Sequence, residues 1–242
     1  MCYHKSSDFT VHELERYYGA MTNDTWKKKW DEEMHFHENG FDHKLSSVLI
    51  KDGFGYFSWG LIPWFTKAEQ ALIIRNQTLN CISEEMFVKP SFRDSLKDGK
   101  RCLIPMTGFY EWKWLDSKGK EKQPYYIHLN NQKIFSAAGL YSIWNDKANN
   151  VSIHTYTILT TKANPLMTKI HNTKKRMPVI IPREYEKDWL NPMLNKEEVL
   201  ALCQPFDTKK MDAYVISKRI TSKKDPTNVP EVLAKVDSGL LF

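Results

Sequence analysis

Cys2 is the residue whose type and position point most directly to chemistry, because it immediately follows Met1. Initiator methionine is usually removed when the next side chain is small, and the chain would then begin with a free α-amine beside a thiol. The reference pKa values of these groups, ~7.7–8.0 and ~8.5, leave a reactive fraction of each at neutral pH. The amine can form a Schiff base with an aldehyde, and the thiolate can close onto the imine carbon to give a five-membered thiazolidine. A chance cysteine at position 2 is the alternative interpretation.

Three further polar residues could move protons or orient groups around such a reaction: Asn80, Glu111 and His171. Glu111 lies among aromatic residues of a predicted strand, where an inward carboxylate would cost several kcal/mol unless it were partnered. The imidazole of His171, with a reference pKa near ~6.5, is suited to proton transfer at neutral pH. Taken singly, Glu111 could face solvent, His171 could be a surface or core residue, and Asn80 could cap a helix or form a turn.

The composition is that of a folded domain rather than a disordered or membrane-spanning chain. The 242 residues suffice for a sizeable core, and 41% of them are hydrophobic and 13% aromatic. The formal net charge of +6 is compatible with a nucleic-acid partner, although many basic proteins bind none. No run approaches the ~18 apolar residues of a membrane span, and the first residues lack the apolar core of a signal peptide. We therefore expect no membrane contact.

The cysteines and histidines do not form a recognisable metal-binding pattern. The four cysteines, at positions 2, 81, 102 and 203, show no CxxC pairing, which argues against a zinc ribbon or a disulfide framework. His35 and His37 are two residues apart on a predicted strand, without acidic or cysteine partners at metal-binding spacing. We predict no metal site, no cofactor and a reducing, cytoplasmic setting.

Short elements must position these residues, and the spacing of apolar and turn residues outlines them. Helices are predicted at 11–18 (ended by Gly19), 163–170, 183–190 and 196–203, with two short helical segments divided by Pro90 and the second capped by Ser91. Strands are predicted at 40–50, 53–62, 101–104, 108–115, 124–129, 134–140, 151–160 and 211–217. The pattern favours a strand-rich α+β fold in one domain, with an irregular basic tail over 218–242.

A series of motifs follows Cys2 in a fixed order. They are Trp-Gly-Leu-Ile-Pro-Trp at 59–64, Asn-Cys-Ile-Ser-Glu at 80–84, Lys-Pro-Ser-Phe-Arg at 89–93, Arg-Cys-Leu-Ile-Pro at 101–105, Gly-Phe-Tyr-Glu-Trp at 108–112, Ser-Ala-Ala-Gly-Leu-Tyr at 136–141, Tyr-Thr-Ile-Leu-Thr-Thr at 156–161, Ile-His-Asn at 170–172 and Arg-Met-Pro at 176–178. In this order, over about residues 2–220, they resemble the SRAP family (SOS response-associated peptidases, the abasic-site-processing proteins). The resemblance implies one SRAP domain over 1–242, with a mixed or antiparallel barrel-like sheet flanked by short helices.

The resemblance also implies roles for the chemical residues. Cys2 matches the nucleophile that captures the ring-opened aldehyde of an abasic site in single-stranded DNA as a thiazolidine. Glu111 matches the acidic active-site residue, which could shuttle protons beside the α-amine, and His171 matches a histidine suited to protonate the sugar ring oxygen. Asn80 matches an asparagine that would orient Cys2 or the sugar. Cleavage of the chain's own Met1-Cys2 bond, β-elimination of the 3′ phosphate and crosslink reversal are implied side activities.

The expected DNA-binding face combines cations with aromatic platforms for the bases. By matching motif or position it comprises His4, Trp64, Trp112, Thr160 and Arg176. His4 stands in the place of a basic residue near the family's N-terminus. Core packing is the alternative role for Trp64 and Trp112.

The chain departs from the family pattern at Ile82, where an arginine that holds a phosphate is usual. Loss of a charge-assisted phosphate contact would weaken DNA binding, and Arg75 or Lys174 could compensate. Asn76 is a second candidate for the family's asparagine. Asn80 is preferred because a Ser-Glu pair follows it in register.

Two other classes of function remain open. One is a thiol hydrolase or peptidase that uses Cys2, His171 and Glu111 on external amides or esters. The other is a noncovalent single-stranded DNA-binding module. An N-terminal tag would block the α-amine and abolish thiazolidine formation, but would spare both alternatives. We expect a monomer that resides in the cytoplasm and associates with the nucleoid when DNA is damaged.

Overall fold

The computed structural model describes residues 2–22, 24–146 and 149–236. Its strands, in chain order, are β1 (His4–Ser6), β2 (Glu38–Asn39), β3 (Leu45–Ile50), β4 (Gly53–Trp59), β5 (Asn80–Ile82), β6 (Arg101–Met106), β7 (Gly108–Trp114), β8 (Lys122–Leu129), β9 (Phe135–Asp146), β10 (Val151–Lys162), β11 (Arg176–Pro178), β12 (Ile180–Ile181) and β13 (Met211–Val215). Its helices are α1 (Val11–Tyr18), α2 (Asp24–Asp31), α3 (Ala71–Gln77), α4 (Pro90–Lys97), α5 (Pro165–Ile170), α6 (Glu186–Leu190) and α7 (Lys196–Ala201).

Five strands close into a barrel in the order β10, β4, β3, β6, β9 and back to β10. Neighbouring strands are antiparallel except β4 and β10, which run parallel with Ser58 opposite Thr155. The shorter strands β5 and β11 extend the pairing of β10 beyond the ring, and β12 pairs with β9. Closure leaves the ring without an exposed edge. The predicted α+β fold with a barrel-like mixed sheet is confirmed.

A second sheet has the order β13, β8, β7, β1, β2, and its neighbours are all antiparallel. In this sheet β1 lies between β7 and β2, with Lys5 opposite both Phe109 and Glu38. Cys2 lies two positions before His4, the first residue of β1, and Glu111 lies on the adjacent strand β7. The sheet therefore brings the start of the chain close to the predicted acidic residue.

The barrel and the second sheet share one apolar core. Phe57 and Tyr156 of the barrel pack in the same cluster as Phe109 of the second sheet, and each is at most 2% exposed. Cys2 belongs to this cluster and is 1% exposed. Burial of apolar surface stabilises by ~25 cal/mol per Å². The shared core thus fixes the two sheets against each other and anchors the N-terminal segment between them.

The first helix follows its sequence signals closely. The side chain of Thr10 accepts from the Glu13 N–H, and Glu13 accepts from the Thr10 N–H, which forms a capping box. Gly19 ends the helix with a φ of 65°, a left-handed conformation that glycine adopts at little cost. The predicted helix at 11–18 and its end are confirmed.

The predicted cap of α4 is wrong. Lys89, not Ser91, occupies the N-cap position, and Pro90 begins the helix. Proline suits the first helical turn because the N–H it lacks would have no helical acceptor there. Ser91 therefore lies within the helix.

The region before β3 also differs from the prediction. β3 begins at Leu45 rather than at position 40, because Asn39 caps a 3-10 turn by accepting from the Phe41 N–H. His35 and His37 precede β2 and do not lie on a strand. The sequence did not predict α2 at all.

The described part of the tail, 218–236, forms two 3-10 turns separated by irregular structure. Ile220 and Val232 are nevertheless almost fully buried, in a cluster with Tyr110 of β7. An isolated bridge between Ile216 and Lys235 returns the chain to the end of β13. The rest of the predicted tail, 237–242, lies outside the described residues. The extent of a single domain over 1–242 stays a prediction.

None of the helices in the described ranges combines the length and the apolar character that crossing a bilayer requires.

Candidate active site

A cleft of about 450 Å³ opens beside β1 and β7. Its walls are formed by Tyr3, His4, Glu111, Trp112, Trp114, Lys122, His171, Thr173, Lys174 and Thr221. Four residues predicted from the sequence thus share one cleft: His4, Glu111, Trp112 and His171. Cys2 immediately precedes the segment that lines it.

Glu111 is an inward-facing carboxylate on β7, only 6% exposed. Because side chains alternate along a strand, it lies on the same face as Phe109, which packs in the shared core. Burial raises the pKa of Glu111 to about 7, while the positive charge of the amino terminus acts in the opposite sense. The group is therefore partly protonated at neutral pH and can both donate and accept a proton. The solvent-facing alternative does not hold.

His171 forms the C-cap of α5 and is 6% exposed. Its Nδ1 lies 2.8 Å from the carbonyl oxygen of Arg176 and 3.9 Å from Oε1 of Glu111. The Arg176 N–H also approaches Nδ1, at 3.4 Å, which would require the opposite tautomer. We assign the proton to Nδ1 because the donation to the carbonyl is much shorter. Nε2 is then the basic nitrogen of the ring.

Burial, followed by the charge of the amino terminus, lowers the pKa of His171 to about 4. The imidazole is therefore neutral at pH 7, and the reference value of ~6.5 does not apply to it. A neutral imidazole accepts a proton more readily than it donates one. Glu111 is consequently the better proton donor of the two near neutral pH.

Cys2 is a protonated thiol in this environment. Burial, and secondarily the negative charge of Glu111, raises its pKa to about 12. Its Sγ donates to the carbonyl oxygen of His4 at 3.6 Å. The expectation of a reactive thiolate fraction at neutral pH is therefore wrong for this state of the chain, because it used the value of an exposed thiol.

A buried ion pair that the sequence did not reveal holds β1 in place. Lys5 is fully buried, and its Nζ lies 2.7 Å from Oε1 of Glu38 on β2. The same ammonium donates to Oγ of Ser7 at 2.7 Å and of Ser46 at 2.9 Å. A lysine is almost never fully buried without a partner, so no sequence pattern would have placed it inside. The network fixes β1, the strand that directly follows the segment of Cys2 and Tyr3.

Asn80 lies on β5, where it pairs with Ile158 of β10, and is 8% exposed. Neither polar atom of its side chain has a hydrogen-bond partner among the described residues. Such buried atoms are rare and mark a position that could serve a ligand. The rival candidate, Asn76, is exposed on α3, with Oδ1 3.1 Å from Nε2 of His43. Asn80 does not belong to the lining of the cleft.

The guanidinium of Arg176, on β11, donates hydrogen bonds to two residues, Glu84 and Thr160. Its Nη1 and Nη2 donate to Oε1 and Oε2 of Glu84 at 2.8 and 2.7 Å, and Nη2 also donates to the carbonyl of Thr160 at 2.5 Å. These hydrogen bonds lower the pKa of Glu84 to about 2. Thr160 itself is fully buried and its hydroxyl donates to the Cys81 carbonyl, so its backbone rather than its side chain faces Arg176.

His4 and Trp112 meet at one wall of the cleft, with ring centroids 4.8 Å apart in an edge-to-face arrangement. Nδ1 of His4 lies 2.8 Å from Nε2 of His37, whose Nδ1 contacts the Thr227 hydroxyl at 2.9 Å. Burial, with His37 as the second cause, lowers the pKa of His4 to about 3. His4 is thus neutral and cannot supply the positive charge that its position suggested. The side chain of Trp112 is half-buried, so part of it packs within the fold and part of it is exposed to solvent.

Trp64 lies apart from the lining of the cleft. It is 65% exposed, and its Nε1 donates to Oδ2 of Asp94 on α4 at 3.2 Å. Core packing is therefore excluded for this side chain. Phe65 beside it is 47% exposed, so the two rings form an apolar surface next to α4.

The two cations that could replace the missing arginine at Ile82 differ in position. Arg75 is half-buried and donates to the hydroxyl of Ser58, so it is held within the fold. Lys174 is exposed and lines the cleft with Glu111. Ile82 itself pairs with Thr160. Only Lys174 of the two suggested substitutes therefore faces the candidate site.

Two residues near the cleft, Asn172 and Lys122, make positioning contacts for which no role was predicted from the sequence. Asn172 binds both the N–H and the carbonyl of Trp114, at 3.1 and 2.9 Å, and so ties the segment after His171 to β7. Lys122 lies over the ring of Trp114, 5.0 Å from its centroid. The position of Asn172 directly after His171 was the available sequence signal for Asn172. The contact of Lys122 depends on the pairing of Trp114 with Lys122 across two strands, and no local sequence signal predicts it.

The described residues contain no group of three or more His, Cys, Asp or Glu arranged to hold a metal ion.

Comparison with solved structures identifies the type of fold. The X-ray crystal structure of a protein from Bacteroides thetaiotaomicron superposes with a TM-score of 0.89 at 37% sequence identity, covering 97% of this chain and 100% of that one. The family model described as SOS response associated peptidase (SRAP) matches residues 1–223. This chain belongs to that family.

Two curated relatives are both named as abasic site processing proteins. The Abasic site processing protein YoqW of Bacillus subtilis (strain 168) is 43% identical over 191 residues, which are 77% of this chain and 80% of that protein. The Abasic site processing protein HMCES of Xenopus tropicalis is 30% identical over 198 residues, 74% of this chain and 56% of that protein. The match to HMCES thus spans little more than half of the vertebrate protein.

Proposed function

We propose that this protein processes abasic sites in single-stranded DNA, by capturing the ring-opened sugar aldehyde at Cys2 as a thiazolidine after Met1 has been removed. One observation carries the proposal: the Cys2 thiol is buried beside Glu111, a carboxyl whose pKa is raised to about 7. The names of the relatives, abasic site processing proteins, support abasic sites as the substrate.

The protonation states favour attack by the amine before the thiol. Burial raises the pKa of the Cys2 thiol to about 12, which disfavours attack as a thiolate at neutral pH, whereas a free α-amine has a reference pKa of ~7.7–8.0. The amine adds to the aldehyde carbon to form a carbinolamine. Glu111 in its acid form protonates the hydroxyl, which leaves as water and gives the protonated Schiff base.

The ring closes in a second proton transfer. The Glu111 carboxylate left by the first step accepts the proton of the Cys2 thiol as sulfur bonds to the imine carbon. The carbon–nitrogen double bond becomes single, and its electron pair stays on nitrogen as the neutral amine of the thiazolidine. The whole reaction joins an aldehyde to an aminothiol and releases one water. The second transfer returns Glu111 to its starting acid form, next to neutral His171, whose Nδ1 lies 3.9 Å from Oε1 of Glu111.

DNA would be held by the remaining predicted residues in different ways. Lys174 and Arg176 supply positive charge, and Trp112 offers an aromatic edge at the cleft. Trp64, exposed beside α4, would stack on a base outside the cleft. His4 contributes a neutral imidazole to the wall rather than a phosphate contact.

A thiol hydrolase that acts on external substrates fits the geometry less well. Such enzymes need a thiol whose pKa is lowered by a neighbouring imidazolium, so that the thiolate is present at neutral pH. Here the pKa of Cys2 is raised, the imidazole of His171 is neutral, and the thiol donates to a backbone carbonyl. No observation on the described residues favours this alternative over aldehyde capture.

Untagged protein and a single-stranded oligonucleotide with one abasic site provide the test. A denaturing gel should show a heat-stable shifted band with the wild type and with Cys203→Ala, a matched loss of a buried thiol elsewhere. Cys2→Ala should give no such band, and neither should protein with an N-terminal tag. Absence of the band with wild type, after intact mass has shown that Met1 is gone, would refute the proposal.

A further inference from the structure

We propose that Glu84 competes with DNA phosphate for the guanidinium of Arg176 and thereby weakens binding to undamaged single strands. The inference rests on the proposed function, in which Arg176 contacts the DNA backbone. It adds a residue that determines how strongly the protein holds DNA before any covalent step.

Glu84 binds Arg176 as a phosphate would. Two parallel hydrogen bonds join the carboxylate to Nη1 and Nη2, at 2.8 and 2.7 Å. Guanidinium groups recognise carboxylates and phosphates through this same two-pronged geometry. The hydroxyl of Ser83 donates to Oε2 of Glu84 at 3.0 Å and helps to orient the carboxylate.

The edge of Arg176 that Glu84 occupies is the one that DNA can reach. On the inner side, Nη2 donates to the Thr160 carbonyl, and Nε is buried without a hydrogen-bond partner among the described residues. The Arg176 side chain is 14% exposed, whereas that of Glu84 is 43% exposed. A phosphate that approaches from solvent must therefore displace Glu84 or share the Nη1–Nη2 edge with it.

The pair is also tied to the candidate active site. The carbonyl of Arg176 accepts from Nδ1 of His171, a cleft residue, so the guanidinium is carried by the same short segment. The chain has Ile82 where a second phosphate-binding arginine was expected. Arg176 should then provide a large share of the phosphate contacts, and competition by Glu84 should be measurable.

Competition of this kind separates transient from covalent binding. A strand held only through phosphates must break the Glu84–Arg176 pair each time it binds. A strand joined to Cys2 stays bound whatever the state of the pair. Glu84 would thus shorten the time spent on undamaged DNA without reducing the final yield of crosslink.

Fluorescence anisotropy with an undamaged single-stranded oligonucleotide tests the proposal. We expect Glu84→Gln to bind about threefold or more tightly than wild type at low salt. The slope of log K against log salt should stay the same, because Arg176 contacts phosphate in both bound proteins. Glu85→Gln is the matched control, because Glu85 adjoins Glu84 and pairs with Lys89 instead. It should change affinity by less than about twofold.

A double-mutant cycle identifies the partner. In an Arg176→Ala background, Glu84→Gln should have no more effect than Glu85→Gln, and thermal melting should show that all variants remain folded. Equal binding by Glu84→Gln and Glu85→Gln would overturn the inference, as would failure of both Glu84→Gln and wild type to bind undamaged DNA. Neither outcome bears on capture of abasic DNA, so failure of the proposed function, seen as absence of the crosslink, is distinguishable.

Discussion

At the scale of single residues, burial has set the protonation of the candidate site. It raises the pKa values of Cys2 and Glu111 and lowers that of His171, so thiol and imidazole are neutral at pH 7 and the carboxyl is near its midpoint. Reference values would have given a partly ionised thiol, a carboxylate and a partly charged imidazole. The sequence could supply these residues through their motifs, but not their pKa values, which depend on neighbours distant in the chain.

The pKa of Glu111 predicts the pH dependence of crosslinking. Because that pKa is raised to about 7, the acid form is present below pH 7 and is lost as the pH rises. The α-amine requires the opposite change, since it reacts only when deprotonated. The single-turnover rate on abasic DNA should therefore pass through a maximum between about pH 7 and 8.

Glu111→Gln provides the check on this assignment. The amide cannot titrate, so the fall in rate on the alkaline side of the maximum should vanish, and the rate near the maximum should drop by about 10²–10⁴-fold. Single-turnover rates of wild type and Glu111→Gln, measured by quenched gel assays from about pH 5.5 to 9, provide the comparison. Superimposable pH profiles for the two proteins would show that Glu111 is not the acid.

At the scale of elements, β1 has an importance that its three residues do not suggest. It joins β7 to β2, and the buried Lys5–Glu38 pair fixes it there. Cys2 can stay beside Glu111 only as long as this strand is held.

Lys5→Met should destabilise the fold by about 3–5 kcal/mol, because it leaves the Glu38 carboxylate buried without its counter-ion. Lys133→Met is the matched control, since Lys133 pairs with Glu13 at 2.9 Å with side chains 51% and 28% exposed. That loss should cost less than about 1 kcal/mol. Urea unfolding of both variants measures the difference, and similar midpoints would contradict the role given to β1.

The sequence predicted most of these elements but not how they meet. Alternation and turn residues located the barrel strands and β7 because such signals are local. Barrel closure depends on the parallel pairing of Ser58 with Thr155, residues far apart in the chain, and no local pattern encodes it. For the same reason the Glu84–Arg176 pair could not be foreseen, although both residues were within recognised motifs.

At the scale of the whole molecule, the C-terminal segment packs as part of the fold. Ile220 and Val232 fill a cluster beneath Tyr110 on β7, the strand that carries Glu111. Thr227 and Asn228 contact His37, which in turn contacts His4 at the cleft. The packing of this segment could not be predicted from its basic, proline-interrupted sequence, because its few apolar residues have no periodic spacing.

Ile220→Ala should therefore lower the free energy of unfolding by about 2–5 kcal/mol, as for a buried aliphatic residue. Val236→Ala, at a position that is 40% exposed, should change it by less than about 0.5 kcal/mol. Chemical denaturation distinguishes the two. Equal, small effects would mean that the tail contributes little to the fold.

The central claim is a covalent bond between Cys2 and the abasic sugar, and the mass of the intact conjugate tests it most directly. Untagged protein incubated with an abasic single-stranded oligonucleotide should give a species equal to the Met1-free chain plus the oligonucleotide minus one water. Peptide mapping should place the nucleotide remnant on Cys2. A conjugate attached elsewhere, or no conjugate from protein that lacks Met1, would contradict the account.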